Sequence, residues 1–368
     1  MSPAWYRLSN ADEVPSPALL VCPERIRRNI RRMIEMTGGP DRLRPHVKTH
    51  KMAEVVAMHL VAGIRRFKCA TVAEAEMLAG CGAPDVLIAY PPVGPNAVRV
   101  WRLVERFPET RFCVTVDSAV SLEELSRRSV PSSRVGIFLD LDVGQHRTGL
   151  SPGPEALEVY RRASRMPCVN LLGLHAYDGQ IRDRDPLARS DAVAAAIAPV
   201  LQLRKQIQEA GFPQPILVLG GTPTFPSHAS RGDGECSPGT CVLSDAGYSE
   251  NFPDLDFEIA AVLLTRVISK PGPGRLCLDL GHKAVASEMP PPRVRFPELP
   301  DACAVIHSEE HFVVKTSRAG EFNPGDCLYG IPWHICPTVA LHGEVIVVER
   351  GKAVDRWRVV ARERQLTI

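Results

Sequence analysis

The stretch Asp85-Val86-Leu87-Ile88-Ala89-Tyr90 carries four apolar residues in a row and runs into Pro91-Pro92-Val93-Gly94-Pro95. Alternation would mark a strand with one wet face, whereas an unbroken short apolar run closed by proline and glycine marks a strand covered on both sides. Ile216-Leu217-Val218-Leu219, followed by Gly220-Gly221, reads the same way. Working outward from these two, strand-like segments fall at 43–48, 66–71, 85–90, 111–117, 135–142, 169–177, 215–220 and near 239–245. Helical segments alternate with them at 24–36, 52–62, 72–80, 95–106, 119–127, 155–165 and inside 187–210. Buried strands separated by crossover helices make a parallel sheet, and eight such units predict an α/β chain closed as a (β/α)8 barrel. A doubly wound open sheet is the other arrangement the pattern allows. Beyond residue 250 the segments 257–269, 275–280, 302–316, 326–341 and 343–360 are strand-like, with turns such as Pro271-Gly272-Pro273-Gly274 between them. The expected organisation is a barrel over 20–248 and an additional all-β domain built from 1–19 and 249–368.

The 368 residues hold 44 Lys and Arg against 42 Asp and Glu, a net charge of +2. That balance gives no field for nucleic acid or an anionic membrane surface, so a small-molecule partner is the expectation. Apolar residues at 45% and charged residues at 23% fit a folded globular protein and exclude disorder. Apolar runs such as Ile259 to Thr265 fall far short of the ~20 residues a membrane helix needs. No export signal is read at Met1 to Asp12, and the 11 cysteines are odd in number, scattered and without a CxxC pair. Both observations predict a cytoplasmic protein with reduced thiols.

Chemistry concentrates at strand ends. In Arg44-Pro45-His46-Val47-Lys48-Thr49-His50, a period of two sends Arg44, His46, Lys48 and His50 to one face, where so many cations require an anion. The segment is either a basic, phosphate-binding patch or the seat of a crowded amine, with Lys48 losing its proton readily enough to form Schiff bases. Gly220-Gly221-Thr222-Pro223-Thr224 and Pro238-Gly239-Thr240 have the small residues and hydroxyls of a phosphate nest, or of simple turns. In Asp140 to Gly149, Arg147 either closes the loop in an ion pair with an aspartate or holds a ligand's phenolate or carboxylate. His175 and Tyr177 share a face, with His175 a core or a catalytic residue. Trp333-His334-Ile335-Cys336 places imidazole and thiol on one strand, pointing the same way, where they could grip a divalent ion such as zinc.

Taken together, PHVKTH (45–50), DVGQHRTG (142–149), LHAYDG (174–179), GGTPT (220–224), PGT (238–240), DLGHKA (279–284) and HICPT (334–338) follow one another in an order that resembles the D-threonine aldolase and D-serine dehydratase family. These are pyridoxal-phosphate enzymes of the alanine-racemase fold type, and the resemblance runs from about residue 15 to 345. It implies an alanine-racemase-type barrel bearing the cofactor, a β domain bearing a metal, and a homodimer. Lys48 would carry pyridoxal 5'-phosphate covalently, His46 would contact it, Arg147 would bond its phenolic oxygen, and Tyr177 would lie near its ring. Gly221, Thr222, Gly239 and Thr240 would hold the phosphate, His175 would join Lys48 in catalysis, and His334 with Cys336 would hold zinc, manganese or magnesium.

The implied activity is a lyase on D-β-hydroxy-α-amino acids, of the D-threonine aldolase type that yields glycine and an aldehyde. D-serine dehydratase-type elimination to a keto acid and ammonia is the alternative. An amino-acid racemase would need a facing tyrosine, and the surroundings of Tyr329, the one tyrosine after residue 250, do not match. A non-catalytic pyridoxal-phosphate carrier would lack the second domain. The chain departs from the family in three places. Cys241 follows the PGT triplet where a tyrosine is common, and Gln180, Arg182 and Asp183 stand where some aldolases carry a histidine. His-x-Cys is the more usual metal pair of the dehydratases, many aldolases having aspartate in place of cysteine.

Overall fold

The computed structural model describes residues 4–368. The chain forms two compact units. One comprises the residues up to Arg31 with Thr49–Val55 and Thr240–Arg362, and the other Arg32–Lys48, Val56–Gly239 and Glu363–Ile368.

In the second of these, strands Arg66–Cys69, Asp85–Ile88, Arg111–Val116, Val135–Leu141, Val169–Ala176, Ile216–Leu219 and Glu235–Cys236 pair in parallel, in chain order. The segment before them closes the ring: Leu43 bridges Cys236, His46 bridges Lys68, and Arg44 N and Lys68 N donate to Cys236 O and Pro45 O, both at 2.9 Å. This closure decides for the barrel over the open sheet. It also corrects two expected strands. Residues 43–48 form bridges only, because Pro45 has no N–H for the ladder, and the chain then tightens into a 3-10 turn at Val47–Thr49. Residues 240–242 are a 3-10 turn as well, and the eighth position is taken by the two-residue strand Glu235–Cys236.

The crossover helices start where the sequence supplies a cap. Thr71 Oγ1 accepts from Glu74 N before helix Val72–Gly80, Ser118 Oγ from Ser121 N before Ala119–Arg127, and Asp185 Oδ1 from Leu187 N before Pro186–Glu209, each at 3.1 Å. Inside the barrel, Leu87, Cys113, Phe138 and Val218 form a buried layer. Arg44 lies in this interior with its guanidinium over Phe138. Its Nε reaches Glu235 Oε2 and its Nη1 Asp85 Oδ1, both at 2.6 Å. The chain itself therefore supplies the anions that the basic segment required at Arg44. The three side chains are at most 10% exposed, and without Arg44 the buried carboxylates of Asp85 and Glu235 keep only the partly exposed Arg111 and Arg66. Arg44→Met lowers the unfolding free energy by about 3–5 kcal/mol, measured by denaturant melts; a loss under about 1 kcal/mol contradicts this account.

The other unit is built on a mixed sheet ordered Cys303–His307, Phe312–Lys315, Arg275–Leu278, Ala261–Ser269, Ala18–Val21, Glu344–Glu349 and Lys352–Arg358. Ala18–Val21 pairs antiparallel with Ala261–Ser269 and parallel with Glu344–Glu349. Cys327–Pro332 pairs with Ala261–Ser269 on one side and Val294–Arg295 on the other. The expected strands 302–316 and 343–360 are each a hairpin. The expected strand 326–341 stops at Pro332 and gives way to the short helix Ile335–Leu341, so this unit is not purely β. Among the described residues no helix is long and apolar enough to cross a membrane.

Candidate active site

Lys48 sits in the 3-10 turn that follows the barrel's closing segment, half-buried. Its backbone N–H donates to His46 Nδ1 at 3.3 Å, so His46 orients the turn. Lys48 Nζ lies 5.9 Å from the centre of the Tyr177 ring, Lys68 Nζ lies 5.9 Å from it, and Arg147 Cζ 5.0 Å. Three basic side chains thus face one aromatic ring, an attraction of about 0.5–1 kcal/mol for each that carries its charge.

Lys68 is buried, and burial first, then repulsion from Lys48, pull its proton affinity down to about 7. Next to it stands His175, whose Nδ1 is 2.6 Å from Asp140 Oδ1 and whose Nε2 is 3.5 Å from Lys68 Nζ. Burial, helped by Lys68 and Arg147, lowers the proton affinity of His175 more than Asp140 raises it. Burial pushes the Asp140 carboxyl up, but the His175 imidazole and the Thr148 hydroxyl, 2.9 Å away, more than reverse this and hold it below its ordinary value.

Arg147 rides on a loop shaped by Asp142. That carboxylate accepts from Gly144 N at 2.9 Å and His146 N at 3.0 Å and meets His146 Nδ1 at 2.8 Å. Neither aspartate ion-pairs with Arg147, so the loop-closing ion pair is replaced by a backbone turn that leaves Arg147 exposed. Asp140, Arg147, Thr148, His175 and Tyr177 line one pocket.

After strand Ile216–Leu219 the chain needs a left-handed residue, Gly220 at φ +69°. Gly221 follows, where an added Cβ would stand 2.9 Å from Tyr177 Cε2. Gly221 N donates to Thr224 Oγ1 at 3.3 Å, Thr224 Oγ1 donates to Asp178 Oδ1 at 2.7 Å, and Asp178 Oδ2 meets His228 Nε2 at 2.7 Å. Gly239 N donates to Thr222 Oγ1 at 3.1 Å, joining the two glycine-containing segments. Between them Ser237 Oγ is buried with no hydrogen-bond partner among the described residues. Glycines close to an aromatic ring, hydroxyls and a buried orphan oxygen, ringed by positive charge, make a cradle for a flat anionic molecule.

In the other unit, His334 is the N-cap of helix Ile335–Leu341 and Cys336 lies in its first turn. The two were expected on one strand; the helix start brings them together instead, with a hydrogen bond between imidazole and thiol. His334 Nδ1 also meets Glu288 Oε1 at 2.5 Å. Cys336 Sγ lies 3.2 Å from Thr49 Oγ1 and 3.4 Å from Thr240 Oγ1. Thr240, read as a phosphate contact, therefore places its hydroxyl on this thiol. Burial lowers the His334 proton affinity, but Cys336 and Glu288 outweigh it and lift it to about 9. Burial pushes the Cys336 thiol up, and His334 more than reverses that. Among the described residues no three His, Cys, Asp or Glu side chains form a closed metal cage.

Residues 21–245 match the family model "Alanine racemase, N-terminal domain", and 260–348 match "Putative serine dehydratase domain". A D-threonine aldolase of an Arthrobacter species is 31% identical over 95% of this chain and 93% of its own length. The chain belongs to the D-threonine aldolase and D-serine dehydratase family. It is thereby a pyridoxal-phosphate-dependent lyase with the alanine-racemase fold. Another relative in this family is a 3-hydroxy-D-aspartate aldolase from Paracoccus denitrificans, 28% identical over 95% of this chain and 92% of that protein. The crystal structure of D-threonine aldolase from Filomicrobium marinum superposes with a TM-score of 0.89 at 26% identity, covering 98% of this chain and 99% of that one.

Four features of this family member escape sequence reading. Lys68 carried a signal, a lysine inside the otherwise apolar Phe67-Lys68-Cys69. The partnership of Asp178 with Thr224 and His228, the seat of Ser237, and Glu288 on His334 depend on contacts across tens of residues and have no local signature.

Proposed function

We propose that the protein is a pyridoxal-phosphate- and divalent-metal-dependent lyase acting on D-β-hydroxy-α-amino acids, cleaving them by a retro-aldol reaction to glycine and an aldehyde. The observation that carries this is the barrel end itself: a half-buried lysine, a second buried lysine and an arginine around Tyr177, beside a glycine-lined cradle with the orphan Ser237 hydroxyl. These residues fit pyridoxal phosphate. When bound, the cofactor supplies an electron sink at the substrate's α-carbon, and the divalent ion supplies Lewis-acid polarisation at the β-hydroxyl.

The chain's own residues do the rest. Lys48 Nζ is the amine for covalent attachment. Arg147 would bond the cofactor's phenolic oxygen, Tyr177 would form a flat wall, and Thr222 would offer its hydroxyl to the phosphate, with Gly221 and Gly239 leaving room for it because they carry no side chain. His175 has both ring nitrogens engaged, by Asp140 and Lys68, and so holds Lys68 in place. For the metal, His334 and Cys336 offer one nitrogen and one sulfur. Glu288 on Nδ1 leaves Nε2 as the ligating atom of His334. A thiolate donor selects zinc over magnesium.

The aldolase outcome is favoured by the relatives that align along nearly the whole chain, a D-threonine aldolase and a 3-hydroxy-D-aspartate aldolase. The dehydratase outcome has one specific observation on its side, the thiol of Cys336 as second donor. Incubation with D-threonine and with D-serine, assaying glycine, acetaldehyde, keto acids and ammonia, separates the two. The expected result is glycine and acetaldehyde from D-threonine in equal amounts without ammonia. Ammonia and a keto acid without glycine reverse the assignment to the dehydratase.

A further inference from the structure

Strand Arg66–Cys69 buries the side chain of Lys68, which is 2% exposed. The groups that act on its amine come from every wall around it: Lys48 from the 3-10 turn, Asp140 from strand Val135–Leu141, His175 at the end of strand Val169–Ala176, Asp178 just beyond that strand, and Arg44 from the closing segment. Arg147 acts on His175 and shares the Tyr177 ring. Both carboxylates are already engaged, Asp140 by His175 and Thr148, Asp178 by Thr224 and His228. Among the described residues, the side-chain hydrogen-bond neighbour of Lys68 Nζ is His175 Nε2.

That contact has a direction. Asp140 accepts the Nδ1 proton of His175, so Nε2 presents a lone pair and Lys68 must donate. A neutral amine still carries N–H donors, weaker than those of an ammonium but aimed the same way. The contact with His175 therefore survives a change of charge on Lys68, and no carboxylate is paired with the amine in either state.

We propose that Lys68 is the proton-accepting group of the barrel site, a neutral amine that becomes an ammonium when an anionic ligand seats against Lys48, Arg147 and Tyr177, with His175 and Asp140 as its positioning pair. The proposal rests on the reading that this end of the barrel holds pyridoxal phosphate, and concerns how that ligand's charge is met. A phosphate monoester brings a charge of about −1.5 to −2 near neutrality, which favours the ammonium. Burial and Lys48 bring the ligand-free amine to about 7, so the proton is taken up near and above neutrality. The unfolded chain holds its lysine proton up to about 10.5. Between about 7 and 10.5 it binds more protons than the native state, and stability of the ligand-free protein rises with pH through that window.

The test is calorimetric titration of the cofactor-free full chain with pyridoxamine 5'-phosphate, which cannot condense with Lys48. It is run at about pH 8 in two buffers of different ionisation heat, which gives the proton count per ligand. The parent is expected to take up about one proton more than Lys68→Met, and its stability rise between about pH 7 and 10 disappears in that variant. Lys68→Arg, permanently charged, should match Lys68→Met in proton count while keeping affinity, and it serves if the methionine variant does not fold. Equal proton counts in parent and variant overturn the role of Lys68 alone. Failure of the parent to bind pyridoxamine 5'-phosphate overturns the cofactor reading together with it.

Discussion

Lys48→Ala is expected to abolish the visible colour of the cofactor-loaded protein and to cut turnover of D-β-hydroxy-α-amino acids by on the order of 10^4-fold or more, the scale of losing a covalent nucleophile. Of the three basic groups around Tyr177, Lys48 is half-buried on a tight turn, whereas Lys68 is enclosed and tied to His175 and Arg147 has no nucleophilic nitrogen at neutral pH. Charge is not what Lys48 contributes, so Lys48→Arg should be as colourless as the alanine variant. Absorbance spectra and turnover of the two variants check this. A coloured Lys48→Ala protein would move the attachment to another amine.

The second large effect is at the other unit. His334→Ala should leave the colour intact and lower turnover by more than about 100-fold, the upper end of what loss of a metal's outer partner costs. Exhaustive chelation should bring the parent to the same level, and the added ion should restore the parent but not the variant. On the proposed reading His334 and Cys336 are one donor pair, whose imidazole and thiol meet; with the imidazole gone, a lone thiol keeps too few ligands to hold a divalent ion. Equal rates for variant and parent, or full activity after chelation, would remove the metal from the reaction.

The barrel was legible in the sequence because its strands are short apolar runs punctuated by proline and glycine. Asp85–Ile88 and Ile216–Leu219 read alike and lie in one parallel sheet. What failed was the extrapolation of a period of two across Pro45. The proline permits bridges on either side but no ladder, and the chain turns at Val47. Lys48 therefore does not extend a face begun at Arg44, and His50 instead accepts the N–H of Met52 ahead of helix Ala53–Val61.

The eighth strand was misplaced for a related reason: two residues, Glu235 and Cys236, are too few to show any periodicity. The imidazole of His334 and the thiol of Cys336 do meet, but at a helix start and not along a strand, since Pro337 suits a helix's first turn as well as a strand's end. Lys68 meets His175 across 107 residues of sequence. Their strands have three others between them, so the meeting across the barrel depends on the closure and register of the whole ring, which a single chain read by itself does not display.

The covalent attachment site can be read directly. Reduction of the cofactor-loaded protein with borohydride, followed by proteolysis and mass mapping, should leave the pyridoxyl group on the peptide containing Lys48 and nowhere else. A label on Lys68, or an unmodified Lys48 peptide in a coloured protein, would contradict the account.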